Sequence, residues 1–571
     1  MAKEMNSLSF STGMTWAVVF AVFLLTIKPM GTYMAKVFTF QPTLLDKPLS
    51  KVENWTFRMF GISRDSSMTA KQYGAAFLLT NLLWAILAYA MLRMQQFLPF
   101  NPEHFPAVNP LLAFNTAASF VTNTNWQAYA GENTLSYFSS FANLSFLQFV
   151  TPAAGAAVGI AFVRALAGKK LGNYFVDLTL VCTRVLLPLA VIVTLLLVGQ
   201  GVPETLGAYL HAHTLAGGTQ NIPRGPIASW EAIEHLGENG GGFTNANSAN
   251  PLENPTALSN IIEILSMGLV PVAFFYAFGV MTGRRRLAWT LTAVAGGFFL
   301  VMLALVYFPE QAGNPILNSL GLATHQNMVG KEVRFGMGGT SIFETATMAF
   351  TTGSVASAHD SFLPLSSLAF YLGMFLNMVF GGKGVGLLNM LMFVIITIFL
   401  MGLMVGRTPE FLGKKIETRE VSLASIAFLL HPLLILGGTA LAVYLPAGMK
   451  GVFNPGPHGL SEILYGFTSA AANNGSAFGG LGASLPFYEI SIGVVMIIAR
   501  YASVLAMLLL GQSLLHKRRV PETSGTLRTD TPLFGGILFG SIIILNALTF
   551  FPVMALGPIA EQYLMVAHHL F

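Results

Sequence analysis

Four short polar segments recur along this chain: Thr122-Asn123-Thr124-Asn125-Trp126, Asn239-Gly240-Gly241-Gly242-Phe243, Thr352-Gly353-Ser354-Val355-Ala356 and Asn474-Gly475-Ser476-Ala477-Phe478. With Asn123, Gly240, Gly353 and Gly475 taken as equivalent, the intervals are 117, 113 and 122 residues. In three of the four an aromatic follows three places on, as Trp126, Phe243 and Phe478. The donors such loops offer are backbone carbonyls, hydroxyls and amides. Oxygen ligands without a ring of acids suit a monovalent alkali cation, which must shed its water and leave again. A calcium or magnesium site would want several carboxylates, and only Glu238 touches these loops. Glycine permits the positive φ needed to turn carbonyls inward. Asparagine is among the few other residues that tolerate it, so Asn123 can stand where the other loops have glycine. One loop alone reads equally well as a glycine turn in helix packing. Four in phase predict a single pore with four-fold pseudo-symmetry.

The rest of the chain must position these loops in a membrane. Of its 571 residues 54% are hydrophobic and 10% charged, against ~25% charged in a soluble domain. A net charge of +5 is too small for a nucleic-acid partner; the bilayer is the expected one. Spans need ~20 apolar residues. Ten candidates lie near 12–34, 74–97, 141–165, 176–199, 259–282, 287–308, 365–405, 422–446, 487–515 and 533–556. The seventh is too long for one span and is interrupted by Gly381-Gly382-Lys383-Gly384-Val385-Gly386. The N-terminal flank of the first run offers only Lys3 beside Glu4, with Lys28 and Lys36 after it, the reverse of a signal peptide. Basic clusters follow every second span, for example Arg284 to Arg286, Arg407 with Lys414 and Lys415, and Lys517 to Arg519. The positive-inside rule then puts both termini outside the cytoplasm, and all four polar loops with them. Each loop follows a stretch too brief to span, at 109–120, 228–236, 341–350 and 459–470, which reads as a re-entrant half-helix. Its C-terminal carbonyls carry about half a negative charge and favour a cation on the axis.

The fold class is therefore an all-α polytopic membrane protein with four membrane–pore–membrane repeats and one extra helix at each end. The expected division is 1–70 (first helix and cytoplasmic loop), 71–172, 173–286, 287–420 (with the broken helix) and 421–520 for the repeats, and 521–571 for the last helix.

Two basic residues, Lys383 and Arg500, fall inside spans, where charges are costly and usually face a pathway or a partner. Either they form a gate or barrier below the loops, or they pair with a buried acid or carbonyls. Glu231 and Glu344, each nine places before its loop glycine, are expected either to pair with such bases or to cap the half-helices. Glu263 is expected at the interface. Histidines such as His359, His431, His568 and His569 have no metal-ligand spacing and read as interfacial or packed. Cys182, the only cysteine, reads as packing. The phosphate-binding G-x-x-x-x-G-K-[ST] pattern is missing, as is an Asp-Lys-Thr-Gly phosphorylation motif. No coherent Ser/His/Asp set or carboxylate pair points to intrinsic catalysis, and no organic cofactor is expected.

The chain resembles the potassium-binding A subunit of the Kdp-type potassium-transporting ATPase, nearly end to end. The resemblance rests on Thr122 to Gln127, Asn239 to Pro251, Gly406 to Ile416 and Asn473 to Phe478. It implies the fold of the superfamily of potassium transporters, with K⁺ as the transported ligand. It implies a filter of Asn123, Gly240, Gly353 and Gly475 with their neighbours Thr122, Thr124, Asn239, Gly241, Thr351, Thr352, Asn473 and Asn474. Gln127, with Glu238, would tune selectivity, and the broken seventh span (Gly382, Lys383, Gly384), near Arg500, would be a gating loop. It further implies lateral exit of the ion toward a separate P-type ATPase catalytic subunit, so that this chain is a non-catalytic subunit of that enzyme. A single-span subunit with a periplasmic domain and a very small membrane peptide are the other expected partners. The setting would be the plasma membrane of a bacterium or archaeon. The alternatives are a stand-alone or nucleotide-gated K⁺/Na⁺ transporter of the same superfamily and, from another class, an inverted-repeat secondary transporter.

Overall fold

Proline and small polar residues set where the short helices begin. Pro110 and Pro457 open two of them at the first turn, where a fixed φ suits the helix and the missing N–H costs nothing. Asn109 caps the first, its side chain accepting from the Leu111 N–H. The four half-helices are Pro110–Val121, Ile227–Gly237, Gly336–Ala349 and Pro457–Ala472. At ~1.5 Å per residue none crosses a ~30 Å hydrocarbon core. The third starts five residues before the expected 341, because the glycine-rich Gly336–Gly339 stretch is helical.

The computed structural model describes residues 10–322, 326–406, 408–521 and 527–567; Lys3, Glu4, Arg407, His568 and His569 lie outside them. Among the described residues ten helices are long and apolar enough to cross a membrane: Phe10–Phe38, Ala70–Phe97, Phe138–Leu166, Tyr174–Gly199, Ala257–Thr282, Arg285–Ser319, Val385–Val405, Thr418–Tyr444, Pro486–Leu515 and Pro532–Leu556. Each half-helix lies between two of these in sequence. The long seventh apolar segment is two helices, Pro364–Leu376 and Val385–Val405. The break begins at Asn377, earlier than the glycines predict, because Asn377 itself adopts a left-handed conformation (φ 44°).

The third span (Phe138–Leu166) is buried over nearly all of its length from Leu147 on, and its small residues explain how. A Cβ on Gly159 would lie 2.8 Å from the Gly384 Cα, and one on Gly155 would lie 2.6 Å from Arg500 Nη2. The broken helix therefore rests directly on this span's backbone. On the face opposite the loop mouths, Arg164 pairs with Asp177 at 2.8 Å. Nearby, the hairpin Glu410–Phe411/Lys414–Lys415 sends Lys414 Nζ to the Ala165 carbonyl at 2.7 Å. Burial, then the charge of Arg519, pushes Lys414 down to about 8.

At the mouth face, His458 ties three segments together. Its Nδ1 is 2.6 Å from Glu561 on the C-terminal helix Pro558–Val566, and its Nε2 is 2.8 Å from Asp360. Burial opposes the charged ring, but the two carboxylates outweigh it and hold His458 up to about 10. The folded-state value is raised above the unfolded ~6.5. The contribution to stability is thus complete below that value and lost as pH rises through about 10. Thermal unfolding of the solubilised protein is expected to fall in midpoint between pH 7 and 10, and His458→Gln is expected to flatten that fall. A slope identical in wild type and variant would refute the clamp.

Candidate functional site

Each half-helix ends in a residue with left-handed backbone: Asn123 (φ 62°), Glu238 (53°), Thr351 (56°) and Asn473 (53°). The next N–H then turns back onto the helix: Thr124 to Ser119 O (3.0 Å), Asn239 to Glu234 O (3.1 Å), Thr352 to Thr347 O (2.8 Å) and Asn474 to Ser469 O (3.0 Å). This repeated bond fixes the register. Asn125, not Asn123, is the structural equivalent of Gly240, Gly353 and Gly475. The sequence offers asparagine at both 123 and 125, and only the helix end decides between them. Positive φ occurs at Asn125 (59°), Gly353 (89°) and Gly475 (103°), but Gly240 is not among the positive-φ residues.

The four loops converge. Gly240 N–H donates to Thr124 O at 3.2 Å, Asn473 Nδ2 to Thr124 Oγ1 at 2.9 Å, and Asn474 Nδ2 to Thr347 O at 3.3 Å. Ala249 N–H reaches Val355 O at 3.0 Å and Ser248 Oγ is 3.2 Å from Ser354 Oγ, joining the second loop to the third. Glycine is required here by close approach. A Cβ at Gly475 would sit 1.9 Å from Thr124 O, one at Gly353 2.0 Å from Asn474 O, and one at Gly240 2.6 Å from Asn474 O. Carbonyl oxygens of equivalent residues thus occupy the space that side chains would fill. Gln127 Nε2 donates to Gly242 O at 2.8 Å, and Gln148 Nε2 and Trp230 Nε1 both hold Gly241 O. Thr122 Oγ1 bonds Thr124 Oγ1, and Thr352, the equivalent of Thr124 in the third loop, is fully buried.

Two openings meet at this ring. A vestibule is lined by Gln127, Gly240, Gly353, Gly475 and Ser476. On the other side a cavity is lined by Asn123, Thr351, Asn473, Asn377, Gly382 and Arg500. It continues past Phe393, Phe428 and His431 between Val385–Val405 and Thr418–Tyr444. The four half-helices therefore dip from the same face.

The broken seventh segment is sewn to the half-helix ends. Gly381 N–H donates to Ala349 O at 3.0 Å, and Asn377 Nδ2 to Ala472 O at 3.1 Å. Thr351 Oγ1 donates to Asn377 Oδ1 at 3.0 Å. Glu238 accepts from the Lys383 backbone N–H, and its other oxygen lies 3.2 Å from Lys383 Nζ, with both side chains fully buried. Lys383 is thus paired with an acid of the second loop. Arg500 lines the cavity and its guanidinium packs against Gly155 beside the Lys383 carbonyl.

Behind the loops, Glu344 caps no half-helix: it bonds His359 (2.6 Å) and the Ala356 N–H (3.0 Å). Glu263 is fully buried rather than interfacial, with an oxygen 3.6 Å from His235 Nε2. Glu231, also fully buried, lies 3.8 Å from His235 Nδ1, so neither acid meets Lys383 or Arg500. Asn377, Gln148 and Tyr501, whose hydroxyl reaches Val121 O, were not singled out from the sequence. Uncharged polar residues inside apolar runs were the available signal.

A family model described as the potassium-transporting ATPase A subunit matches residues 17–563. The potassium-transporting ATPase potassium-binding subunit of Alicyclobacillus acidocaldarius is 52% identical over 559 residues, covering 96% of this chain and 99% of its own length. That of Geobacillus kaustophilus is 47% identical, covering 96% and 98%. Among solved structures, the potassium transporter TrkH from Vibrio parahaemolyticus matches with a TM-score of 0.51 at 13% identity, over 88% of this chain and 98% of that one. That likeness supports a fold built of membrane–pore–membrane repeats.

Proposed function

The chain belongs to the potassium-transporting ATPase A subunit family, and on that premise we propose that it is the K⁺-selecting, channel-like subunit of an ATP-driven uptake pump. The observation that carries this reading is the ring of main-chain oxygens between the vestibule and the inner cavity. K⁺ enters from the vestibule and exchanges its water for carbonyl oxygens. Such sites hold an ion only as tightly as release allows. Asn123, Gly240, Gly353 and Gly475 with their neighbours Thr122, Thr124, Asn239, Gly241, Thr351, Thr352, Asn473 and Asn474 form the filter, and the register adds Asn125. Gln127 tunes it from the mouth through Gly242 O.

Below the ring the ion meets the Asn377–Gly384 loop, and Arg500 places a positive charge on the cavity wall. A cation is repelled from that wall and directed along the cavity between Val385–Val405 and Thr418–Tyr444. The polar lining of Asn123, Asn377 and Asn473 gives way there to Phe393 and Phe428. A separate P-type ATPase catalytic subunit receives the ion and supplies the energy, since this sequence carries no phosphate-binding or phosphorylation motif. A single-span subunit with a periplasmic domain and a very small membrane peptide complete the assembly. It resides in the plasma membrane of a bacterium or archaeon with the vestibule and both termini outside. The described basic clusters, Lys414 with Lys415 and Lys517 to Arg519, support that orientation.

The test is hydrolysis by the purified complex. ATP turnover is expected to rise with K⁺, and Gly240→Asp, which sets a carboxylate against Asn474 O and Gly475 Cα, is expected to abolish the response. K⁺ flux through this chain alone in liposomes, driven only by gradient and voltage, would favour a stand-alone transporter.

A further inference from the structure

Behind the third and fourth loops the hydrogen bonds run in one unbroken line. Glu344 Oε2 is 2.6 Å from His359 Nε2, and His359 Nδ1 is 2.7 Å from the Tyr465 hydroxyl. That hydroxyl is 2.8 Å from Ser476 Oγ, which in turn bonds Asn474 Oδ1. All five residues are buried. The line starts on the third half-helix and ends beside Gly475, at the residue whose carbonyl faces Gly353 and Gly240.

Donor counting gives the line a direction. Asn474 Nδ2 donates to Thr347 O, and Asn474 Oδ1 accepts from the Ser476 N–H at 3.1 Å. Rotating this amide would set its NH₂ against an N–H and its oxygen against a carbonyl. Ser476 therefore spends its only hydrogen on Asn474 and must accept from Tyr465. Tyr465 then has no hydrogen left for His359, so Nδ1 carries a proton and donates. At the far end Glu344 Oε1 already accepts from the Ala356 N–H and Ser357 Oγ. The remaining contact, Nε2 to Oε2, closes only with a second proton held between imidazole and carboxyl. Without an N–H at Nδ1, Tyr465 would have to turn its hydrogen around, and its bond to Ser476 would be lost.

We propose that His359 is a positioning residue for the ion-binding ring: the proton it shares with Glu344 sets the direction of the line through Tyr465 and Ser476, and so fixes the Asn474 backbone that grips the ion. This rests on the K⁺-selecting role above. His359 and Ser476 both line the vestibule, which sets the line beside the path of the ion. The titratable groups around the ring are Glu344 and Tyr465, in direct contact, and Lys331, which pairs with Glu310 at 2.9 Å behind Phe362. The adjacent Asp360 is engaged by His458. Phe370 stacks on the imidazole at 4.5 Å and fixes its plane.

The test is K⁺-stimulated ATP hydrolysis by the whole complex, with Na⁺ as competitor, for wild type, His359→Gln, Tyr465→Phe and Ser476→Ala. Each variant is expected to raise the K⁺ concentration for half-maximal hydrolysis about tenfold, the worth of one charge-assisted hydrogen bond. Each is also expected to weaken discrimination against Na⁺. Ser476→Ala removes one oxygen and keeps the Glu344–His359 pair. It answers the question if His359→Gln fails to fold. Folded variants with wild-type K⁺ affinity and Na⁺ discrimination would overturn the proposal. A wild-type complex without any K⁺ response would overturn the K⁺-selecting role itself, and this proposal with it.

Discussion

Gly475→Ala is expected to abolish high-affinity K⁺ uptake while leaving the protein in the membrane. Two costs fall at the same position. The backbone is left-handed (φ 103°), which charges an L side chain ~1–2 kcal/mol. The added Cβ would also lie 1.9 Å from Thr124 O and 2.8 Å from Gly240 Cα, and overpacking of this kind costs ~1–3 kcal/mol. The atoms that must move are ring-forming oxygens, so most of the cost appears in ion binding. Together these predict a loss of K⁺ affinity of roughly thirty- to several-thousand-fold, read from the K⁺ dependence of hydrolysis by the complex. Gly201→Ala separates strain from ring geometry. Gly201 is also left-handed (φ 97°), yet a Cβ there meets nothing within 4 Å. It is expected to lower thermal stability slightly and leave K⁺ affinity alone. Equal affinities for Gly475→Ala and wild type would remove the ring from the ion's path.

The second large effect concerns Glu238 and Lys383. Both are fully buried, and each is the other's only opposite charge in salt-bridge range among the described residues. Removing one partner of a buried pair leaves an uncompensated charge and costs ~3–5 kcal/mol. Lys383→Met is therefore expected to reduce both the thermal stability of the complex and its K⁺-stimulated turnover, and Glu238→Gln to do the same. The double variant removes both charges at once. It keeps a hydrogen-bonding group for the Lys383 N–H, so it is expected to recover most of the loss. The coupling from the four-way comparison should reach several tens-fold in the measured constants, above the additivity seen for distant sites. If the double variant is as poor as the sum of the singles, the pair is not what fastens the Asn377–Gly384 loop to the second polar loop. If both singles are silent, Lys383 is no part of the gate.

The architecture was legible in the chain because its determinants are local. Apolar runs of ~20 residues mark spans, and Pro110 and Pro457 mark helix starts. Polar Gly/Asn/Thr/Ser clusters mark where chain must turn inside protein. The expected half-helices match the observed ones to within five residues at every end. The breaking of the long seventh segment was legible as well, since six residues with four glycines cannot remain helical cheaply. Three things were decided only by tertiary structure. The first loop's register turns on which of two similar asparagines follows the helix end. The partners of Glu344 and Lys383 lie 15 and 145 residues away, and composition does not reveal which buried surfaces will face each other. The closeness of the four loops, where neighbouring carbonyls fill the space above Gly353 and Gly475, emerges only when all four repeats pack on one axis. Propensity acts over a few residues, whereas charge pairing and ring closure depend on how the assembled helices place distant backbone within a few ångströms.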